Sequence, residues 1–252
     1  MAGRADLGPG FGLTAGGAAG VALAALLVSS MASAQGVAPA TTAGPAADAP
    51  APGTATPTDL PVDDAKAQAL LYPYDQAELR FVPDLGVTGP ALKQIRDAAA
   101  DLPFYGAVAA RKVGRHRIGY AMAAGFHSPE AAGAAARARC NAKAQASDCV
   151  VIAHVLPPGW VKGRVLQLSA RATLMYQERY MPEGGPAAMA IAPGGTGAAL
   201  ALGQDAAPRA LAACRKGARA ASDTEFDCHD TEAGATCAFG PGAQACRLVL
   251  RD

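Results

Sequence analysis

Aromatic side chains are scarce in this sequence: they make up 5% of the residues, and there is one tryptophan. A core must therefore be built mainly from Ala, Val and Leu, small enough to let helices pack close against a sheet. An excess of either charge is also lacking. Lys and Arg number 22 against 21 for Asp and Glu, so there is no global electrostatic case for binding nucleic acid. The apolar run "AAGVALAALLV" at residues 18–28 is too short to cross a bilayer, which takes roughly 20 residues. Several signatures are missing as well. No G-x-S-x-G occurs, so no nucleophile elbow is encoded. "PGGTGAALALG" lacks the third glycine of a dinucleotide loop and has no Lys-Ser/Thr after it, so it reads as a hairpin turn. The cysteines are never closer than C-x₈-C, which leaves little support for zinc.

What is present starts with a leader. Arg4, the apolar run and "ASA" at residues 32–34 form the pattern of a secretory signal peptide. Cleavage is expected near Ala34, giving a periplasmic or secreted chain with no transmembrane span in its mature form. Residues 35–61 are almost wholly Ala, Pro, Thr and Gly, a composition that predicts a flexible tether. The folded part is expected over residues 62–252, a length that suits one domain or two small fused halves. Six cysteines in an exported chain argue for three disulfides.

Within residues 62–252, "AELRFVPD" reads as a strand. "GPALKQIRDAAADLP" reads as a helix with Leu92, Ile95 and Ala99 on one face and Pro103 as its stop. "FYGAVAA" and "RIGYAMAAG" are strands of a hairpin turning near Gly114. Ser128-Pro129-Glu130 then starts a helix, Ser as N-cap and Pro at the first position, which runs to about Lys143. "CVVIAHVL" is an apolar strand. Farther on, "RVLQLS" reads as a strand, and "ARATLMYQERYM" as an amphipathic helix with Leu174, Met175 and the Arg179 stem inward.

The order then recurs. "PAAMAIAPGGTGAALALGQ" again gives strand, glycine turn and strand, Asp205 takes the capping place of Ser128, and a short Ala-rich helix again reaches a cysteine. The interval from cap to cysteine is 12 residues in the first case and 9 in the second, one helical turn different. The fold expected is α+β, with tandem strand–strand–helix–strand units (104–156 and 186–252) sharing one sheet, linked by a strand and helix over 160–183. Six cysteines permit 15 connectivities. The repeat favours Cys140–Cys149 and Cys214–Cys246, each tying a helix to its following strand, and leaves Cys228–Cys237 inside an insertion of the second unit.

The residues "YGAVA", "GY", "SPEAAGAAARARC" and "DCVVIA" resemble the core of a bacterial secreted domain of unknown function. The wider layout, "FYGAVA", "FHSPEAA", "LPPGW" and "CRLVLRD", is similar to a group of alphaproteobacterial exported proteins, over roughly residues 84–252. The segment around Cys228 and Cys237 departs from that pattern. Some of the group carry the label 5-aminolevulinic acid synthase, which implies pyridoxal phosphate bound to a lysine. None of Lys93, Lys112, Lys143, Lys162 or Lys216 lies in a recognisable setting for that cofactor, and export fits such an enzyme poorly.

Candidate chemistry is sparse. Ser128 is a helix cap before it is a nucleophile, and His127 beside it reads as a satisfied surface or packing residue. "SDTEFDCHDTE" clusters Asp223, Glu225, Asp227, Asp230 and Glu232, but the glycine and glutamate of a calcium loop are missing, so it reads as a solvated acidic loop. Arg111, Lys112, Arg115 and Arg117, with His116, crowd one hairpin tip and form a candidate anion-binding cluster. No catalytic residue, metal or cofactor is expected. The function expected is a non-catalytic binding module of the cell envelope, its partner an envelope protein, a polysaccharide or an anionic surface. The competing expectation is a small hydrolase-like enzyme using His127 or His154 in a cleft between the units.

Overall fold

The chain enters the fold through helix α1 (Asp64–Leu70), strand β1 (Glu78–Phe81) and helix α2 (Gly89–Ala99). A first motif follows: β2 (Gly106–Val113), β3 (Arg117–Ala123), α3 (Pro129–Ala144) and β4 (Val150–Leu156). A helical segment, α4 (Ala170–Met175), a π-turn (Tyr176–Tyr180) and α5 (Met181–Glu183), leads to the second half. There β5 (Ala187–Ile191), β6 (Ala198–Leu202), α6 (Ala206–Lys216) and β9 (Arg247–Arg251) form a second motif, interrupted by the hairpin β7 (Asp227–Thr231) and β8 (Gly234–Phe239). This computed structural model describes residues 59–82, 89–113, 117–183, 185–218, 226–242 and 245–252. The expected leader and most of the tether lie outside them.

The class is α+β, but the two motifs do not share a sheet. The first sheet runs β1-β4-β2-β3 and the second β7-β8-β6-β5-β9. β1 lies on the outer edge of β4 and β8 on that of β6, so each sheet is extended beyond the three strands of its own motif. Val62 bridges β9, donating to the Val249 carbonyl and accepting from Arg251, so the first described residues are tied to the last strand.

Both sheets have a small-residue face and a large-residue face. Ala107, Ala109 and Val151 meet Ala132 and Ala136 of α3; Ala188, Ala190, Ala199 and Ala201 meet Ala206 and Ala210 of α6. The opposite face of the first sheet packs Val108 and Ile152 on Ile95 of α2. In the second, Met189, Ile191 and Leu200 pack on Met175, Tyr176 and Tyr180. The central pairing shifts register between Val108 and Ala109 in the first sheet, and between Met189 and Ala190 in the second.

All three disulfides are formed, in the pairs expected from the sequence: Cys140–Cys149, Cys214–Cys246 and Cys228–Cys237. Three local expectations need correction. "RVLQLS" is no strand: Leu166 and Leu168 alternate into the core, but the segment has no strand beside it to form a ladder. Arg179 is exposed, because the π-turn brings Tyr180 inward instead. The acidic stretch is not simply a solvated loop. Asp223 and Glu225 lie outside the described residues, but Asp227 and Asp230 sit on β7, an exposed edge strand pinned through Cys228 to Cys237.

Candidate functional site

His127 and Ser128 hold the framework together. Ser128 is extended, and its Oγ accepts from the Ala131 N–H at 3.2 Å, capping α3. His127 is 2% exposed. Its Nδ1 accepts from the Ser169 N–H at 3.2 Å, which places the ring proton on Nε2. Nε2 then donates to the Gly197 carbonyl at 3.0 Å. One imidazole thus joins the start of α3, the N-cap of α4 and the turn between β5 and β6. Burial holds its pKa down to about 4, with the Arg247 charge adding to that. Both ring nitrogens are engaged by backbone, so neither is left for a substrate.

His154 is placed differently. It pairs in register with Ala107 of β2 and Arg80 of β1, on the sheet face covered by α3. A groove of about 390 Å³ opens there, lined among others by Glu130, Gly133, Arg137, His154, Trp160 and Lys162. Gly133 keeps it open on the helix side: a Cβ there would stand 3.5 Å from Cε1 of His154. Nδ1 of His154 and Nε1 of Trp160 are buried with no hydrogen-bond partner among the described residues. The Tyr105 hydroxyl is a third such atom, on a side chain packed in the aromatic cluster that Trp160 joins. Each unmet buried polar group costs about 1–3 kcal/mol, so the two on side chains that line the groove, His154 and Trp160, call for an explanation beyond packing. Burial lowers the His154 pKa, against the pull of Glu130, so the ring is neutral near pH 7. Burial raises that of Tyr105, helped by Tyr72 and Glu130.

The matching positions of the second motif carry different side chains. Arg251 pairs with Ala188 where His154 pairs with Ala107. Three residues before the helix cysteine, Leu211 stands where the first motif has Arg137.

The basic hairpin tip is divided. Arg111 is half-buried and forms an ion pair with Asp148, its Nε 2.9 Å from Oδ1. Lys112 is exposed on the other face of β2, Arg115 lies outside the described residues, and Arg117 opens β3 opposite Val113. A cavity of about 570 Å³ lies between the motifs, reached by Asp101, Gly125, Arg171, Leu174, Thr196 and Phe239. Neither His127 nor His154 lines it, so the cleft expected for an enzyme does not hold the histidines expected to work in it. Among the described residues, no three His, Cys, Asp or Glu side chains are grouped to hold a metal ion. None of the helices described is long and apolar enough to cross a membrane.

Sequence reasoning missed Glu130 and Trp160 as site residues. Glu130 read as part of a helix start and Trp160 only as part of the "LPPGW" resemblance; the available signal was a lone indole in an aromatic-poor chain. Comparison with family models, curated proteins and solved structures finds no match to this chain.

Proposed function

We propose that this chain is an exported, disulfide-stapled binding module of the cell envelope that takes a polar ligand in the groove beside His154. The observation that carries the reading is the set of unpartnered buried polar atoms around that groove, on a scaffold held rigid by its disulfides and by His127. Three closed disulfides support an oxidising compartment, periplasmic or extracellular. The two motifs are read as copies of one unit, of which the first carries the groove beside His154. Their shared strand order, the matching register shift and the matching helix-to-strand disulfides support that reading.

The resemblance to exported proteins labelled 5-aminolevulinic acid synthase is kept as a resemblance of layout. Lys93, Lys112, Lys143, Lys162 and Lys216 are all exposed, which gives no support to a lysine-bound pyridoxal cofactor. The enzyme alternative now rests on His154 with Glu130, because His127 has no nitrogen to offer.

The test is capture from the organism's own envelope fraction with the purified full chain and with a double variant, Glu130→Gln with Lys162→Ala. A ligand or partner retained by the parent chain and lost by the variant is the expected result. Equal retention by both overturns the groove as the binding site. Turnover of a metabolite, abolished by His154→Ala, makes the chain an enzyme.

A further inference from the structure

We infer that the groove's ligand is an acidic saccharide, a sugar ring carrying one carboxylate; the inference rests on the groove being the binding site. Its volume of about 390 Å³ is at the small end of ligand pockets and suits one or two rings. The polar groups are mixed in kind. Trp160 Nε1 can only donate, the Glu130 carboxylate can only accept, and the neutral His154 can do either. Hydroxyl groups, which donate and accept at one atom, satisfy such a set; a simple anion or a simple cation does not.

Charge narrows the class. The charged side chains that line the groove are Glu130, Arg137 and Lys162, two positive and one negative, so a ligand with one negative charge balances them. A carboxylate meets Lys162 or Arg137 as a charge-assisted pair, leaving Glu130 for hydroxyls. A phosphate is a poorer fit despite the nearby start of α3. Pro129 has no N–H, and the Ala131 N–H is already held by Ser128, so little remains of the donor set that binds phosphate at helix starts. The carbon side of the groove, Val151, Leu156 and the indole, offers apolar surface for the C–H face of a ring.

Trp160 is the one tryptophan of the chain, so selectively excited indole fluorescence of the full protein reports on this groove. The probes are a uronate-containing disaccharide, a neutral disaccharide, inorganic phosphate and a small-molecule extract of the envelope. The expected result is a saturable change with the uronate, at least about tenfold weaker for the neutral sugar and for Lys162→Ala and Glu130→Gln. Lys112→Ala, on the hairpin tip, should bind as the parent does. Lys162 is exposed, so its loss leaves the fold intact, and unchanged circular dichroism confirms this for each variant. A saturable response to the extract or to phosphate, with none to the uronate, overturns the saccharide and leaves the groove as a binding site. Silence towards all four probes overturns both.

Discussion

Nε2 of His127 and the carbonyl oxygen of Gly197 meet at 3.0 Å across 70 residues of chain, and that bond joins the two motifs through a fully buried ring. The ring is neutral in the fold, with a pKa of about 4 against an ordinary 6.5. Between those values the unfolded chain takes up a proton that the folded chain refuses, so stability falls as the pH falls through this window. The contribution is constant above the window and gone below it. The loss is about 3 kcal/mol from this residue alone. Chemical denaturation of the parent chain and of His127→Gln from pH 4 to 8 checks it: the variant should be less stable at pH 8 and show a flatter slope below 6.5. Parallel slopes would remove His127 as the source.

Gly133 and Gly197 should respond oppositely to alanine. At Gly133 the new Cβ would stand 3.4 Å from Val151 and 3.5 Å from His154, ordinary contacts in mid-helix. Gly133→Ala is therefore expected to stabilise the chain by about 0.5–1 kcal/mol while narrowing the groove and weakening the indole response to ligand. At Gly197 the Cβ would fall 2.4 Å from the Pro241 carbonyl oxygen, forcing the turn that receives His127 to move. Thermal denaturation should show the first variant above the parent and the second well below it.

Arg209 anchors the β7–β8 hairpin. Its guanidinium donates to the carbonyls of Leu202, Ala233, Gly234 and Ala235 and to Oγ1 of Thr236. Lysine keeps the charge but not the planar fork that reaches several carbonyls at once. Arg209→Lys is expected to cost about 2–3 kcal/mol and to raise amide exchange selectively across β7 and β8. Protection that drops equally in the first sheet would show the loss to be global instead.

The disulfides differ in the length of chain they close. Cys140–Cys149 spans a separation of 9 and Cys214–Cys246 one of 32. Loop-closure entropy then assigns about 3 kcal/mol to the first and about 4 kcal/mol to the second. Paired Cys→Ser variants should reproduce that order in denaturant midpoints; a reversed order would mean that native packing at Cys140 outweighs chain entropy.

The first motif was legible in the sequence because local chemistry and tertiary demand agree there. Ser128, Pro129 and the Ala-rich run dictate a capped helix, and the cysteines at its end and at the next strand hold the two in place. The β7–β8 hairpin was not legible. Its residues Asp227, His229 and Asp230 have no apolar alternation, and the strand exists through the cystine at Cys228 and the grip of Arg209. "RVLQLS" shows the reverse failure: its alternation is real and buries Leu166 and Leu168, but alternation does not supply a neighbouring strand. The groove was hidden for a further reason. Glu130, His154, Trp160 and Lys162 come from a helix, a strand and a turn, and only packing brings them together.

The register shift in β4 has a consequence for His154. Val151 pairs with Ala109 and Ala153 with Val108, so Ile152 is an extra residue that resets the odd-even parity of the strand. With uninterrupted alternation from Val151, position 154 would point at α2, into the layer that holds Ile95 and Leu79. The added residue turns the imidazole to the α3 side, where the groove is. The placement of this side chain is thus a matter of counting: deleting Ile152 would leave His154 opposite Ala107, whereas one residue inserted between Val108 and Ala109, giving Ile152 a partner, would carry His154 out of the groove without altering any residue that lines it.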